Sequence, residues 1–334
     1  MKIAIRQLQG NSGIDVWAEN LFQGIRREGH DCSLDLHHGV YQFFPFLLKF
    51  QKNPCDVEIV QSNTWNGFIF KDNSPLVATE HLMVHDPEYN QYRSVPQKIY
   101  HEWIYKCEKR TLQIADSVIC VSKNTQATLE KVFGYSDTQI IYNGIDTTVF
   151  KPIVQSTDIW NIPTDKTVLF FSGNLSRRKG ADLLPFIMKE LGEKYVLLIA
   201  TGQHKTSFSN LKNIINVGQL DIVHLVTAYN RCNIFVSASR LEGFGLSIAE
   251  AMSCGKPVVG TNSSAIPELV VNGKGGFLCE KDNVRDFAEK IRYISDNSDE
   301  QERMGRFNRD RVEELFTREM MVNKYLDLYR KLGQ

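Results

Sequence analysis

Short apolar runs alternate with longer amphipathic stretches along the chain, which is the pattern of repeated strand–helix units. Residues 2–8 alternate in polarity and predict a first strand, and residues 15–28 then predict an amphipathic helix. Strands that alternate with helices in this way build parallel sheets, so the pattern predicts an α/β fold. Further strands are expected at 56–60, 76–79, 116–122, 140–142, 167–171, 196–200, 214–217, 233–236 and 257–260, and further helices at 97–115, 246–254, 283–296, 299–315 and 317–332.

The length of the chain, 334 residues, is enough for two domains of ordinary size. The stretch 151–165 contains Pro152 and Pro163 and reads as a linker, and a new strand–helix series begins after it. The composition, 42% apolar and 23% charged, is that of a globular protein that can bury two cores. We therefore expect one domain over 1–150 and a second one from residue 151 onward.

The charge and cysteine patterns argue against several classes of protein. The formal net charge is zero and no basic block occurs, which argues against a nucleic-acid partner. The seven cysteines include no C-x-x-C pair, which favours reduced thiols over a zinc site or a disulfide framework. No apolar run reaches the ~20 residues of a membrane span, and residues 1–6 enter a strand without a signal-peptide pattern. We expect a cytoplasmic protein, with the inner face of the membrane as a second location.

The loop between the expected strand at 233–236 and the helix at 246–254 carries the strongest chemical signal. Gly243 and Gly245 have no Cβ atoms, so their backbone N–H groups can approach a ligand closely. The helix N-terminus that follows favours an anion. Glu250 stands inside an otherwise apolar helix, and a buried carboxylate there needs partners, such as two hydroxyls of a ribose.

Glu242 and Glu250, with the residues around them, resemble a known family motif. Gly-Phe-Gly follows the first glutamate and Ala-Met-Ser-Cys-Gly-Lys-Pro-Val follows the second, as in the family-4 (group 1) retaining glycosyltransferases of the GT-B fold. The resemblance implies two Rossmann-like domains that face each other across a cleft, one over 1–150 with a C-terminal helix at about 317–334, and one over 151–316. It also implies that the second domain binds a nucleoside-diphosphate sugar and that the acceptor enters over the first.

A cationic segment follows the expected strand at 167–171. Arg177, Arg178 and Lys179 would stand there at a helix N-terminus, a place that suits a diphosphate. In the resembled family an arginine usually occupies the position of Asn174, and a lysine five residues later matches Lys179. Arg177 or Arg178 could take the role of the missing arginine, and the alternative is a solvated run of charge.

Two loops of the first domain also carry candidate residues. Gly10 and Gly13 are spaced G-x-x-G, which differs from the dinucleotide fingerprint and argues against a nicotinamide enzyme. In the resembled family this loop lies near the donor diphosphate and the acceptor, which implies a binding role for Gly13. His81 follows the expected strand at 76–79 and resembles the active-site histidine of the family, with His85 as a nearby alternative.

The resemblance implies a role for each of these residues in sugar transfer. His81 would orient the sugar, Lys179 would stabilise the leaving diphosphate, and Glu242 would hold sugar hydroxyls, so these three are the expected catalytic residues. Attack from the leaving-group face would retain the anomeric configuration. The chain has no D-x-D pair, so no metal is expected, and no cofactor beside the donor substrate. The expected donor-binding residues are Gly13, Arg177, Arg178, Lys179, Gly243, Phe244, Gly245, Leu246 and Glu250.

Residues 37–52 leave two interpretations open. The stretch 41–50 is aromatic and has Lys49 and Lys52 beside it, which is compatible with peripheral contact with a membrane surface. The alternative, which we favour, is a short helix packed on the sheet. His37 and His38 precede this stretch and are expected to be surface or loop residues rather than a metal pair.

Two other functions are compatible with the sequence. One is a nucleotide-sugar epimerase on the same fold, which would need no acceptor, and the other is a non-catalytic sugar-nucleotide-binding subunit. The sequence does not specify the base or the sugar of the donor. A glycan, a lipid-linked acceptor and a small molecule all remain open as acceptors.

Overall fold

A computed structural model of the protein describes residues 1–10, 13–44, 47–48, 57–153, 159–202 and 211–333. Several predictions fall partly outside these ranges, namely those for the loop at 10–13, the aromatic stretch 41–50 with Lys52, the start of the strand at 56–60 and the linker 151–165. The chain divides into two compact units, Met1–Gly144 with Thr317–Gln334 and Ile145–Phe316. We call these the first unit and the second unit.

The first unit is built on a parallel sheet. Within its described residues, six strands pair in the order β2-β1-β3-β4-β5-β6, and every neighbouring pair is parallel. Short 3₁₀ helices at Gly39–Gln42 and Pro87–Tyr92 lie in the connections. The elements are β1 (Lys2–Leu8), α1 (Gly13–Arg27), β2 (Asp31–His37), β3 (Ile59–Asn63), α2 (Gly67–Phe70), β4 (Leu76–Glu80), α3 (Val95–Ile114), β5 (Ser117–Cys120), α4 (Lys123–Phe133) and β6 (Thr138–Ile140).

The second unit repeats this architecture. Within its described residues, six parallel strands pair in the order β12-β11-β10-β7-β8-β9. Its elements are β7 (Thr167–Ser172), α5 (Leu184–Leu191), β8 (Tyr195–Ala200), β9 (Ile214–Gly218), α6 (Ile222–Arg231), β10 (Ile234–Ser237), α7 (Leu246–Ser253), β11 (Val258–Thr261), α8 (Ile266–Leu269), β12 (Gly276–Cys279), α9 (Val284–Ser295) and α10 (Ser298–Leu315).

A last helix, α11 (Arg318–Leu332), returns to the first unit, as the predicted fold requires. Its apolar face, with Val322 and Tyr325, packs into a core that also holds Ile3 and Trp17. The buried hydroxyl of Tyr325 lies 3.0 Å from Thr79 Oγ1, which satisfies both polar groups. The predicted C-terminal helix on the first domain is therefore confirmed.

Side-chain caps mark the starts of two helices. The Ser122 hydroxyl accepts a hydrogen bond from the Thr125 N–H at the start of α4. Asp221 caps α6 in the same way through the His224 N–H. Among the described helices, none is both long enough and apolar enough to cross a membrane.

The strand expected at 56–60 is wrong by about half its length, because β3 runs over Ile59–Asn63. Its second half is polar, yet Gln61 is fully buried and donates to Thr79 Oγ1 at 3.0 Å and to the Ser62 carbonyl. An apolar run in the sequence does not reveal buried polar residues such as Gln61, because their burial depends on hydrogen-bond partners from other elements.

Strands β2 and β12, each at one edge of its sheet, were not predicted, because polar residues interrupt β2 and β12 is only four residues long. The loop prediction for His37 is consequently wrong. His37 ends β2, and its ring stacks on Phe70 with centroids 5.3 Å apart. His38 does lie in a loop, exposed, where its Nδ1 caps the 3₁₀ helix that follows.

Candidate functional site

The loop between β10 and α7 places a glycine at the start of the helix. Gly245 is the N-cap residue of α7 and has φ +105°, a left-handed conformation that L side chains rarely adopt. No side-chain hydrogen bond from this residue closes the helix. Phe244 is buried, and its ring packs edge-on against Phe316 at 5.6 Å. Packing of Phe244 thus holds the loop, and the glycine N-cap leaves the start of α7 without a capping side chain.

The cationic segment forms tight turns and not the first turn of a helix, so that part of the prediction is wrong. The Lys179 N–H bonds the Ser176 carbonyl and the Gly180 N–H bonds the Arg177 carbonyl, whereas α5 begins only at Leu184. Gly180 has φ +66° and lies against the Ala238 carbonyl. This left-handed residue reverses the chain, so a helix cannot start at the cations.

The turn brings Lys179 against Glu242, although the two are far apart in sequence. Lys179 Nζ lies 2.5 Å from Glu242 Oε1, and both side chains are largely buried. Arg178 donates to the Leu241 carbonyl at 2.9 Å and lies 3.7 Å from Glu242 Oε2. Burial opposes the charge on Glu242, but Lys179 and Arg178 together hold the pKa of this carboxyl below its ordinary value. Glu242 is therefore ionised at neutral pH.

Arg240, which no sequence pattern singled out, connects the two loops. Its guanidinium donates to Asp182 at 2.7 Å and to Asp282 at 2.6 Å, and also to the Arg177 carbonyl at 2.5 Å. The Arg240 N–H in turn bonds the Arg178 carbonyl at 2.8 Å. An arginine two residues before Glu242 in a strand-end loop was the available signal, because a buried guanidinium needs acidic partners.

Glu250 has a protein partner that the sequence did not reveal. The Tyr229 hydroxyl, on α6, donates to Glu250 Oε2 at 2.7 Å. Tyr229 is fully buried and packs edge-on against Phe170 at 5.0 Å. Burial raises the pKa of Glu250 to about 7, although the Tyr229 hydrogen bond and the charge of Lys179 act in the opposite direction. The expected need of this carboxylate for a partner is thus met in part by the protein itself.

The two candidate histidines of the first unit differ in whether they already have a protein partner. His85 Nε2 lies 2.7 Å from Glu108 Oε2. His81, directly after β4, packs against Trp17 with ring centroids 4.4 Å apart, and its buried Nε2 has no hydrogen-bond partner among the described residues. Burial lowers the pKa of His81 to about 3, so the ring is neutral near pH 7. His81 therefore has a nitrogen that can still accept or donate a hydrogen bond.

Two buried carboxyls support the turn that carries His81. The Thr64 hydroxyl donates to Glu80 Oε2 at 2.5 Å and also lies 3.4 Å from Glu108 Oε1. Burial, with Glu108 as a second cause, raises the pKa of Glu80 well above its usual range. Glu80 Oε1 accepts the Leu82 N–H at 2.9 Å, which fixes the backbone on both sides of His81.

The remaining predicted site residues are placed as follows. Gly13 is the exposed first residue of α1, and residues 11–12 of its loop lie outside the described ranges. Leu246 is the first residue of α7, next to Gly243 and Gly245 in sequence. Within the described ranges, no group of three or more His, Cys, Asp or Glu side chains is arranged to hold a metal ion.

Comparison with protein families gives two adjoining matches. The model for "Glycosyltransferase Family 4" matches residues 15–149, and the model for "Glycosyl transferases group 1" matches residues 155–311. The protein belongs to the group 1 glycosyltransferases of family 4. The recognition of this family from Glu242 and Glu250 is thereby confirmed.

The relatives of this group 1 chain include an uncharacterised glycosyltransferase of Methanocaldococcus jannaschii. The two are 28% identical over 224 residues, which is 66% of this chain and 60% of that protein. The chain spans about 60% of the length of the first curated relatives that it matches.

Two solved structures show the fold of this glycosyltransferase family member. Sucrose-phosphate synthase from Thermosynechococcus elongatus superposes with a TM-score of 0.88 at 20% identity, covering 99% of both chains. The Anabaena protein HepE, solved with UDP and glucose, gives a TM-score of 0.79 at 17% identity, with 98% of this chain and 99% of that one covered. At these identities the likeness concerns the fold alone, and it confirms the predicted GT-B architecture of two parallel-sheet units.

Proposed function

We propose that the protein is a retaining glycosyltransferase that moves a sugar from a nucleoside-diphosphate sugar to an acceptor hydroxyl without a metal ion. The observation that carries the proposal is the buried pair of Lys179 and Glu242, 2.5 Å apart, beside the loop that opens α7. A fixed cation next to a helix N-terminus suits a leaving diphosphate. The chain's membership of the group 1 family supports the same reaction class.

The donor would bind on the second unit. Lys179 and Arg178 would contact the diphosphate, and the geometry favours Arg178 over Arg177 because its guanidinium already lies near Glu242. Backbone N–H groups at Gly243–Leu246 would contact the same anion, and Glu250 would accept hydrogen bonds from ribose hydroxyls. A similar fold was solved with UDP and with UDP-glucose, which makes uridine nucleotides the first donors to test.

In the proposed reaction the bond between the anomeric carbon and the diphosphate oxygen breaks, and its electron pair remains on the diphosphate. The ammonium of Lys179 stabilises this developing charge. The acceptor oxygen attacks from the face that the diphosphate leaves, and its proton passes to a diphosphate oxygen, so the configuration is retained. Glu242 would hold sugar hydroxyls while it orients Lys179, and His81 of the first unit would contribute a neutral imidazole to the sugar.

The acceptor side of the proposal rests on the first unit. A glycan, a lipid-linked saccharide or a small molecule would serve as acceptor in the chemistry described. Phe43 and Phe44 are exposed, so we include a peripheral membrane contact in the proposal.

Thermal unfolding in the presence of UDP-, GDP- and ADP-sugars tests the proposal. Each melting temperature is measured with and without excess chelator. The matching donor class should raise the melting temperature. At a free donor concentration of a hundred times Kd, binding adds about 2.7 kcal/mol to the free energy of unfolding. Glu250→Ala should abolish the shift, and chelator should leave it unchanged. No shift with any nucleotide sugar would contradict the donor site. Binding without turnover on any acceptor would favour a binding subunit, and conversion of the donor alone would favour an epimerase.

The Tyr229–Glu250 hydrogen bond predicts a pH dependence of donor binding. Ribose hydroxyls donate best to an ionised carboxylate, so binding should strengthen as pH rises through the Glu250 pKa of about 7. Tyr229→Phe removes a donor that lowers this pKa, so the midpoint should move upward by about one pH unit. The charge of Lys179 also acts on Glu250 and lowers its pKa.

Isothermal titration of the donor between acidic and mildly alkaline pH measures this midpoint. Tyr325→Phe is the matched control, because Tyr325 is an equally buried tyrosine with a hydrogen-bonded hydroxyl in the first unit. The control should leave the midpoint in place. An unchanged midpoint in Tyr229→Phe would contradict a role of Tyr229 in positioning Glu250.

A further inference from the structure

Helix α3 carries an apolar stripe on the side that faces away from the core. Val95 and Ile99 are 71% and 70% exposed, and Trp103 is 39% exposed. Their spacing of four residues places all three on one side of the helix. The opposite side, which includes Ile104 and Leu112, is buried in the first unit. An amphipathic helix that packs on a sheet needs one apolar side only, so the second apolar stripe calls for another contact.

Basic residues flank this stripe. Lys98, Lys106, Lys109 and Arg110 are all exposed on α3, against a single exposed acidic residue, Glu102. Each of these residues lies three or four positions from a residue of the stripe or from another of the cations. Residues at this spacing are neighbours on a helix surface, so the cations lie beside the stripe. The exposed side of α3 therefore combines apolar side chains with a positive charge, although the chain as a whole has a formal net charge of zero.

A second segment adds aromatic surface next to the stripe. Phe43 and Phe44 follow the 3₁₀ helix Gly39–Gln42, and both are exposed. The ring of Phe43 lies 6.0 Å from the ring of Tyr100 on α3. Two elements of the first unit thus present apolar and aromatic side chains to the same region.

We propose that this surface of α3 and the Phe43–Phe44 turn docks on an anionic lipid bilayer. The occupant follows from charge and shape. A second copy of the chain would bring like charges together, which is unfavourable across an isologous contact. The apolar stripe runs along one exposed side of α3 with cations beside it, an arrangement that can lie flat on a charged surface. A basic helix with Trp and aliphatic side chains is suited to insert those side chains at the lipid interface while its cations meet anionic headgroups.

This inference extends the membrane contact of the proposed function and identifies the surface that makes it. It does not depend on the transferase reaction, because vesicle binding requires no donor and no turnover. The donor-induced rise in melting temperature, which rests on residues of the second unit, tests the reaction separately.

Co-sedimentation of the full chain with vesicles tests the proposal. Vesicles of phosphatidylcholine mixed with phosphatidylglycerol should bind the protein, and vesicles of phosphatidylcholine alone should bind it at least tenfold more weakly. The triple variant Lys98→Gln, Lys106→Gln, Lys109→Gln should lose affinity about fivefold for each lysine removed, or about a hundredfold in total. The double variant Ile99→Ser, Trp103→Ser should lose it by at least tenfold.

The control variant Ile222→Ser, Val223→Ser removes two exposed apolar side chains from α6 of the second unit. It should bind vesicles like the wild type. Melting of each variant without ligand should stay at the wild-type temperature, because all the replaced side chains lie at the surface. Absence of wild-type binding to anionic vesicles would overturn the proposal, and so would equal losses in the α3 and α6 variants. Concentration-dependent dimerisation that the α3 variant abolishes, without vesicle binding, would assign the surface to a second copy instead.

Discussion

Replacing Lys179 by alanine is expected to lower donor turnover by at least about a hundredfold, the usual effect of removing one preorganised group that stabilises a leaving anion. The same change removes the closest cation from the buried Glu242. Arg178 then remains beside it, with Nη1 3.7 Å from Glu242 Oε2. An uncompensated buried charge typically costs about 3–5 kcal/mol, and the remaining arginine should keep the loss near about 3 kcal/mol. One substitution should therefore lower both quantities, activity through the leaving diphosphate and stability through the poorly compensated Glu242.

The pH dependence of this stability loss has a definite sign. In the wild type the pKa of Glu242 is depressed, so its ion pair stabilises the fold above the ordinary pKa of a glutamate, and that stabilisation disappears as pH falls. The Lys179→Ala variant should therefore differ most from the wild type at neutral pH and least at acidic pH, where Glu242 can take up a proton.

Release of nucleoside diphosphate from the identified donor measures the turnover, and thermal unfolding over a range of pH measures the stability. Lys194→Ala is the matched control, because Lys194 forms an exposed ion pair with Asp296 at 3.1 Å in the same unit. Exposed ion pairs contribute little to stability, so the control should change neither quantity much. Wild-type turnover in the Lys179 variant would contradict the proposed role of this lysine.

Replacing Gly180 by alanine is expected to destabilise the second unit severely. A Cβ atom there would lie 1.9 Å from the Ala238 carbonyl oxygen and 2.6 Å from its carbon, and the residue has φ +66°. Because the obstacle is backbone of a buried strand end, no side-chain rotation can relieve it. The left-handed conformation alone costs about 1 kcal/mol, and we expect the total to exceed about 4 kcal/mol, the range of exceptional single mutations.

Gly192→Ala separates the conformational cost from the clash. Gly192 has φ +83° in the same unit, and no described atom lies within 4 Å of the Cβ that an alanine would place there. This variant should lose about 1 kcal/mol only. Differential scanning calorimetry of both variants makes the comparison, with a melting temperature lower by about 2–4 °C for each kcal/mol. Similar melting temperatures for the two would show that the approach of Gly180 to Ala238 is not tight.

The sequence predicted the elements whose signals are local. The strand at 2–8 and the helix that begins at Leu246 agree with the structure at their starts, because alternation and a glycine N-cap mark them within a few residues. Strands β2 and β12 were not predicted, since polar residues interrupt β2 and β12 is only four residues long.

The sequence predicted several residues of the site but not the contacts between them. Lys179 and Glu242 were both named from a motif, yet their pairing joins two loops that lie 63 positions apart. Arg240 and Tyr229 went unnoticed for the same reason, because their acidic partners come from other elements of the fold. Such contacts depend on sheet order and burial, and neither is visible in local spacing.

The return of α11 to the first unit has a consequence for how the protein is made. Val322 and Tyr325 complete a core begun by Ile3 and Trp17, but a ribosome adds them only after the whole of Ile145–Phe316. The second unit, whose segments are contiguous, can fold as soon as it emerges. The nascent first unit must wait with part of its apolar core uncovered, which makes the interval of synthesis the time at which a chaperone is most needed.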